Sequence, residues 1–358
     1  MAAMAHSQTL DQARPDDARD LARIRAWLLA VAALVFVMVS IGGATRLTGS
    51  GLSITEWQPI VGTLPPLSQA DWLEAFAKYR QIPQYEHVNR GMSLEAFKVI
   101  FWWEWTHRFL GRLIGAVFLL PFIYFLAAGR MSRALAARLA GIFALGALQG
   151  AVGWYMVRSG LADRIDVSQY RLALHLGLAI LIFGALVWVV LSLDGRRLQA
   201  RATRAVAAGG IVLLVFVQVL LGALVAGLKA GAGYNTWPLM DGRLVPSGLG
   251  AMRPWYLNLF ENAMTVQFNH RVVAYALVLA VLWHAWGAMR GTGGARSKGS
   301  AVVLAFAILA QAALGVWTLL AQVPLALGLA HQAGAAAVFG IAVWHLHVVQ
   351  HIEPQMAS

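Results

Sequence analysis

Four histidines, His107, His175, His270 and His331, lie about three to six residues inside the starts of long apolar stretches. At ~1.5 Å rise per helical residue they share roughly one depth. Ionisable groups in hydrocarbon are costly and usually functional. Imidazole is an axial ligand of haem iron, and facing helices supply its two sides. For any one of them singly, a ring hydrogen-bonded to a neighbouring helix is the competing reading. A common depth, and a pairing of His107 with His270 and His175 with His331, favour ligation for the set. Zinc suits them less, because four equivalent side chains would have to converge without a thiolate or carboxylate.

Glu104 precedes His107 by three residues, so both face one side of a helix. Its counterpart beside His270 is Gln267. An electron-transfer haem needs only ligands and a dry shell. A haem on which chemistry is done can use a carboxylate that holds a proton or stabilises charge. The competing reading of Glu104 is an interfacial residue paired with Arg108. The residues alone thus point to a two-haem membrane protein with a reactive half and an electron-transfer half.

Those side chains need a scaffold of spanning helices. The 358-residue chain is 59% hydrophobic and only 12% charged. Eight apolar runs, about 24–45, 104–128, 135–157, 170–192, 205–228, 266–288, 301–322 and 326–348, each reach the ~20 residues that cross a bilayer. They lack the short alternating segments of a membrane barrel. The fold class expected is an all-α membrane protein of eight transmembrane helices. The net charge of +12 does not indicate nucleic acid. Arg23 and Arg25, then Arg130, Arg133 and Arg138, then Arg196, Arg197, Arg201 and Arg204, then Arg290, Arg296 and Lys298 cluster in alternate loops. The positive-inside rule puts these in the cytoplasm, with both termini, and the histidine sites toward the outer side. Residues 1–22, polar and without an apolar signal core, read as a cytoplasmic tail, and 351–358 as another. His6 lies in that tail and His87 in an outer loop. His284, His345, His347 and His351 sit near inner helix ends, where snorkelling explains them.

The chain repeats. Shifted by 180, residues 34–66 are identical at eleven of thirty-three positions, with "LVFVMVSIGG" over "LVFVQVLLGA". "THRFLGRLIGAVF" matches "NHRVVAYALVLAV", and "LQGAVGW" at 148–154 matches "AQAALGV" at 310–316. Two four-helix bundles, 23–195 and 196–350, related by a pseudo-twofold axis along the membrane normal, are expected.

Four stretches, "GGATRLTGSGLSITEWQPIVGTLPP" at 42–66, "EWTHRFLGR" at 104–112, "YNTWPLMDG" at 234–242 and "FNHR" at 268–271, resemble the haem A synthase family. The resemblance runs from about residue 25 to 350. It implies oxidation of the C8 methyl of haem O to a formyl group, giving haem A for cytochrome oxidase. It implies that His107 and His175 flank the substrate haem, that His270 and His331 ligate a haem b cofactor, and that Glu104 is the functionally important acid. The chain has no cysteine and resembles the cysteine-free branch, so thiol-based electron or haem handling does not carry over.

"TGSG" at 48–51 lacks the strand–helix context of a phosphate loop and reads as a tight turn. Arg46, Arg108 and Arg271 lie near the depth of haem propionates, where snorkelling would place them too. The segment 67–97 is expected to hold an amphipathic surface helix around Trp72, Leu73 and Phe76, lying over the first haem. Expected partners are the lipid bilayer of a bacterial inner membrane, a haem O synthase as donor, oxidase assembly factors and an unidentified electron acceptor or donor. A homo-oligomer stays open. Two rivals remain: a bis-histidine cytochrome passing electrons from quinol, and a transporter with histidine proton relays.

Overall fold

The structure, a computed structural model, describes residues 17–58, 61–162, 164–193 and 202–350. Residues 1–16 of the expected tail, with His6, lie outside the described residues. So do Arg196, Arg197 and Arg201, and the tail 351–358 with His351. Among the described residues there are only helices, apart from an isolated bridge between Met240 and Arg243. In chain order they are α1 (Asp17–Leu47), α2 (Gln69–Tyr79), α3 (Pro83–His87), α4 (Leu94–Ala127), α5 (Arg133–Ala162), α6 (Gln169–Ser192), α7 (Ala202–Gly227), α8 (Ala230–Gly233), α9 (Ala263–Arg290), α10 (Ala295–Leu320) and α11 (Leu325–Gln350). Short 3-10 turns lie at Val61–Thr63 and Trp255–Leu259.

Eight of these, α1, α4, α5, α6, α7, α9, α10 and α11, are long and apolar enough to cross a membrane. Leu120, Leu213, Trp283 and Phe306 point outward from them. Large apolar side chains on an outer surface need lipid around them. The protein is an all-helical integral membrane protein.

Several helices outrun their apolar runs, α1 and α4 by the most at their starts. α1 starts at Asp17, so residues 17–22, expected in the tail, are its first turns. Asp20 there is buried and takes Arg23 at 3.3 Å and Arg130 at 3.4 Å. α4 starts at Leu94, where Ser93 accepts from the Ala96 amide at 3.2 Å. Glu95 and Lys98 break the apolar run, yet Phe97, Ile100 and Phe101 keep helical spacing and are buried. They meet Leu52, Phe76, Tyr79 and Ile82 in an outer core. The extra turns are stabilised by packing rather than by lipid, and a count of apolar residues cannot see that.

The expected surface helix is α2. Its start is fixed by a capping box in which Ser68 and Asp71 exchange bonds of 3.2 and 3.0 Å. Phe76 is buried and Trp72 packs edge-on to Phe101, whereas Leu73 points outward. Tyr79 donates to Gln84, whose amide donates to the Gly49 carbonyl at 3.2 Å. Gly49 is where "TGSG" turns: its φ of +67° ends α1, and the Ser50 amide closes back on Thr45 at 2.8 Å. α2 therefore lies on the N-terminal extension of α4.

α1 packs on α4, α6 and α11, and α5 packs on α6. α9 packs on α7 and α10, and α11 packs on α6, α7 and α10. One apolar core joins α1, α4, α5 and α6; another is drawn mainly from α7, α9, α10 and α11. Gln332 of α11 donates to the Val39 carbonyl of α1 at 2.6 Å and stitches the two groups.

Candidate functional site: four histidines and their glycines

Each of the four histidines lies over a glycine of an adjacent helix. His107 of α4 faces Gly42 of α1, and His175 of α6 faces Gly153 of α5. His270 of α9 faces Gly222 of α7, and His331 of α11 faces Gly315 of α10. A methyl group at these glycines would come within 3.0, 2.9, 3.3 and 2.7 Å of the ring carbon Cε1, in that order. Any other residue would push the imidazole aside, so glycine sets each ring's position by leaving room for it. Gly42 and Gly222 are partners in the 180-residue repeat, and Gly153 and Gly315 in "LQGAVGW" over "AQAALGV". His107 and His175 lie within electrostatic reach of each other, as do His270 and His331.

His175, His270 and His331 lie about two turns inside the starts of their helices. His107 lies deeper along α4 only because that helix starts early. Among the described residues no three His, Asp or Glu side chains gather to hold a bare metal ion. The histidines thus come as two pairs within electrostatic reach, each ring half-buried, a donor set that suits a bis-histidine haem.

A glutamine stands one turn before three of the four glycines. Gln149 donates to the His175 carbonyl at 3.0 Å and meets its Nε2 at 3.3 Å. Gln218 donates to the His270 carbonyl at 3.0 Å and meets its Nδ1 at 3.0 Å. Gln311 donates to the His331 carbonyl at 2.7 Å and meets its Nδ1 at 3.0 Å. Sequence reading missed these glutamines, although the repeat alignment had placed Gln149 over Gln311. Oε1 of Gln149 and of Gln218 is buried without a partner. The amide atom that meets each ring is Nε2, a donor, so a ring N–H opposite a bound iron would use the free Oε1 once the amide turned. The residues present therefore fit a haem in each half.

Glu104 is buried, at 2% exposure. Its Oε1 takes Arg108 Nη2 at 2.6 Å and Nε at 3.0 Å. Its Oε2 takes Ser53 Oγ and the Ile54 amide, each at 2.8 Å. The local pairing with Arg108 is present, and the carboxylate is buried within the protein. Gln267, equally buried, accepts from Arg271 at 3.0 Å and donates to the carbonyls of Tyr234 at 2.8 Å and Ala230 at 3.3 Å. Arg108 donates onward to Ile54 and Glu56 carbonyls, and Arg271 to those of Tyr234 and Thr236. These two arginines clamp loops, which occupies the donors that snorkelling would have left in water.

The remaining histidines correct one expectation. His345 and His347 are buried, at 1% and 6% exposure, and do not snorkel. α11 is surrounded by other helices, so its inner end lies within protein. His345 is held by His284 at 2.8 Å and Ser300 at 2.9 Å, and His347 packs edge-on to Trp188. His87 is exposed at the end of α3.

The family described as Cytochrome oxidase assembly protein matches residues 25–343. A protein of Parvibaculum lavamentivorans named Heme A synthase is 58% identical over 322 residues, covering 90% of this chain and 92% of that one. One of Rhodopseudomonas palustris with the same name is 54% identical over 332 residues, covering 92% and 91%. One of Nitrosomonas eutropha, also so named, is 52% identical over 328 residues, covering 90% and 92%.

Proposed function

We propose, for a chain that belongs to the cytochrome oxidase assembly protein family, that it is a haem A synthase. It would oxidise the C8 methyl of haem O to the formyl group of haem A. One observation carries this reading: two histidine–glycine pairs recur in each half, but only one half adds a buried carboxylate on the ligand helix. The similarity to proteins named Heme A synthase supports it.

In this reading residues 23–195 form the substrate half and 196–350 the cofactor half, two bundles related by the repeat. His107 and His175 hold haem O as substrate; His270 and His331 hold haem b. A bound haem b supplies an iron that exchanges single electrons. Glu104 sits on the His107 face of α4, with its carboxylate fixed by Arg108, Ser53 and the Ile54 amide. A fixed charge costs no reorganisation when positive charge develops nearby. Gln267, satisfied by backbone carbonyls, offers the second half no such charge.

The arginine-rich loops support a topology with both termini in the cytoplasm and both sites toward the outer side of a bacterial inner membrane. A haem O synthase in the same membrane is the natural donor, since so apolar a substrate avoids water. Oxidase assembly factors are the natural receivers.

The test is pigment chromatography. Membranes holding the protein should yield haem O or haem A beside haem B; haem B alone would replace this reading with an electron-carrying cytochrome. His270→Ala and His331→Ala should abolish the resident b-type spectrum, while His107→Ala and His175→Ala leave it and stop haem A formation. Equal loss of the b-type spectrum in all four variants would refute the division of roles.

A further inference from the structure

Gln149, Gln218 and Gln311 each stand one turn before the glycine under a histidine; at the fourth position, before Gly42, stands Met38. Met38 is the repeat partner of Gln218. Its methyl end lies over Gly111 of α4, where an added Cβ would come within 3.2 Å of it. Thioether sulfur cannot donate and accepts only weakly. His107 accordingly has no side-chain hydrogen bond among the described residues; its Nδ1, like that of His175, is buried without a partner, but only His175 has a glutamine at its other nitrogen. The other three rings each touch an amide that also binds their own backbone carbonyl.

We propose that the three glutamines are positioning residues that fix an axial imidazole against its iron. By the same logic, Met38 makes His107 the loosely held ligand, through which the first half exchanges its haem. The inference rests on the haem assignment above and adds what makes one site retentive and the other exchangeable. Outer partners of a ligating histidine fix its orientation and raise its basicity, and losing one typically costs ~10–100-fold in metal affinity. A second observation agrees. α9 and α10 pack along each other, whereas α4 and α5, the corresponding pair, touch sparsely. The half with the unsupported histidine is also the half with the open seam.

The experiment exchanges the two residues, which are close in size. In Gln218→Met, transfer of haem b from the detergent-purified protein to apomyoglobin should quicken by ~10–100-fold. The midpoint potential of that haem should rise, because a less basic imidazole favours the ferric state less; a merely structural defect would not move it in a set direction. Gln218→Glu, which loses the donor to the His270 carbonyl, should quicken transfer as Gln218→Met does. In Met38→Gln, haem O and haem A should leave the first half ~10–100-fold more slowly and co-purify in greater amount. Unchanged transfer and potential in Gln218→Met overturns the proposal, whether or not Met38→Gln folds. Unchanged release from a folded Met38→Gln overturns the part concerning His107. Failure of the haem assignment itself looks different: His107→Ala would then release haem O at the wild-type rate.

Discussion

The helices α1, α4, α5 and α6 repeat in α7, α9, α10 and α11, but the two groups treat one buried position oppositely. Glu104 only accepts, and its loop turns a hydroxyl and an amide N–H toward it. Gln267 donates, and its loop turns two carbonyls toward it. The arginine one turn on is the same in both, its Nη2 bonding a loop carbonyl and the Glu or Gln oxygen together. A loop whose polarity has inverted therefore fixes which side chain is tolerated. The carboxylate is not a free variable of the first group: its partners are built into the backbone around it.

That comparison can be broken most directly at Glu104. Glu104→Gln places an amide where Ser53, Ile54 and Arg108 all present donors, and removes the charge. The ratio of haem A to haem O in membranes should fall by about 10²-fold, while the b-type spectrum persists. A wild-type ratio would mean that the inverted polarity is structural only. Gln267→Glu is the mirror change. A carboxylate there removes the amide donor from the Ala230 and Tyr234 carbonyls, of which Tyr234 keeps Arg271, and should cost about 1–3 kcal/mol, read as a lower thermal midpoint. It should leave the haem A to haem O ratio unchanged if, as proposed, that half holds the cofactor.

The glycines sharpen the comparison with a graded series. Alanine should disturb the site most at Gly315, where a Cβ meets His331 at 2.7 Å, then at Gly153, Gly42 and Gly222. Overpacking typically costs 1–3 kcal/mol, so the series should span roughly that range. Haem b content should drop in Gly315→Ala and Gly222→Ala and hold in the other two. An order unrelated to the distances would show that the rings move aside freely.

Much of this was legible in the sequence, because the repeat could be read off. Eight spans, the four histidines and the unequal pair Glu104 and Gln267 follow from apolar length and register. The glycines and glutamines were equally visible at 38–42, 149–153, 218–222 and 311–315. They were passed over because a glycine in an apolar helix looks like ordinary close packing until the ring above it is seen. The early starts of α1 and α4 were illegible for another reason. Phe97, Ile100 and Phe101 are buried by α2, not by lipid, so no threshold on apolar length would include them. The burial of His345 and His347 depends on what surrounds α11, which a helix boundary does not reveal.

The smallest expected effect concerns the outer cap, which only the first group has at this length. α2 stands on α4, whereas the corresponding segment of the second group holds only α8 and the 3-10 turn at Trp255–Leu259. The start of α2 depends on Asp71 accepting the Ser68 amide at 3.0 Å and the Leu67 amide at 3.1 Å. The Ser68 backbone bond, then its side-chain bond, then the Leu67 bond hold the Asp71 carboxyl below its ordinary value. A carboxyl with a lower pKa in the folded state adds stability that is fully present above its unfolded value, near 3.9, and is lost as pH falls through the folded one. Amide hydrogen exchange in α2 should therefore quicken a few-fold between pH 5 and pH 3, beyond the intrinsic pH dependence of exchange. Asp71→Asn should remove that dependence and show the faster exchange already at pH 5. Residues 255–259, which lack this cap, serve as the internal reference and should not respond to the substitution. If α2 exchanges identically in both proteins at both pH values, the capping box does not hold the helix. Its attachment would then rest on Phe76 and Tyr79 alone, through their contacts with the outward turns of α4.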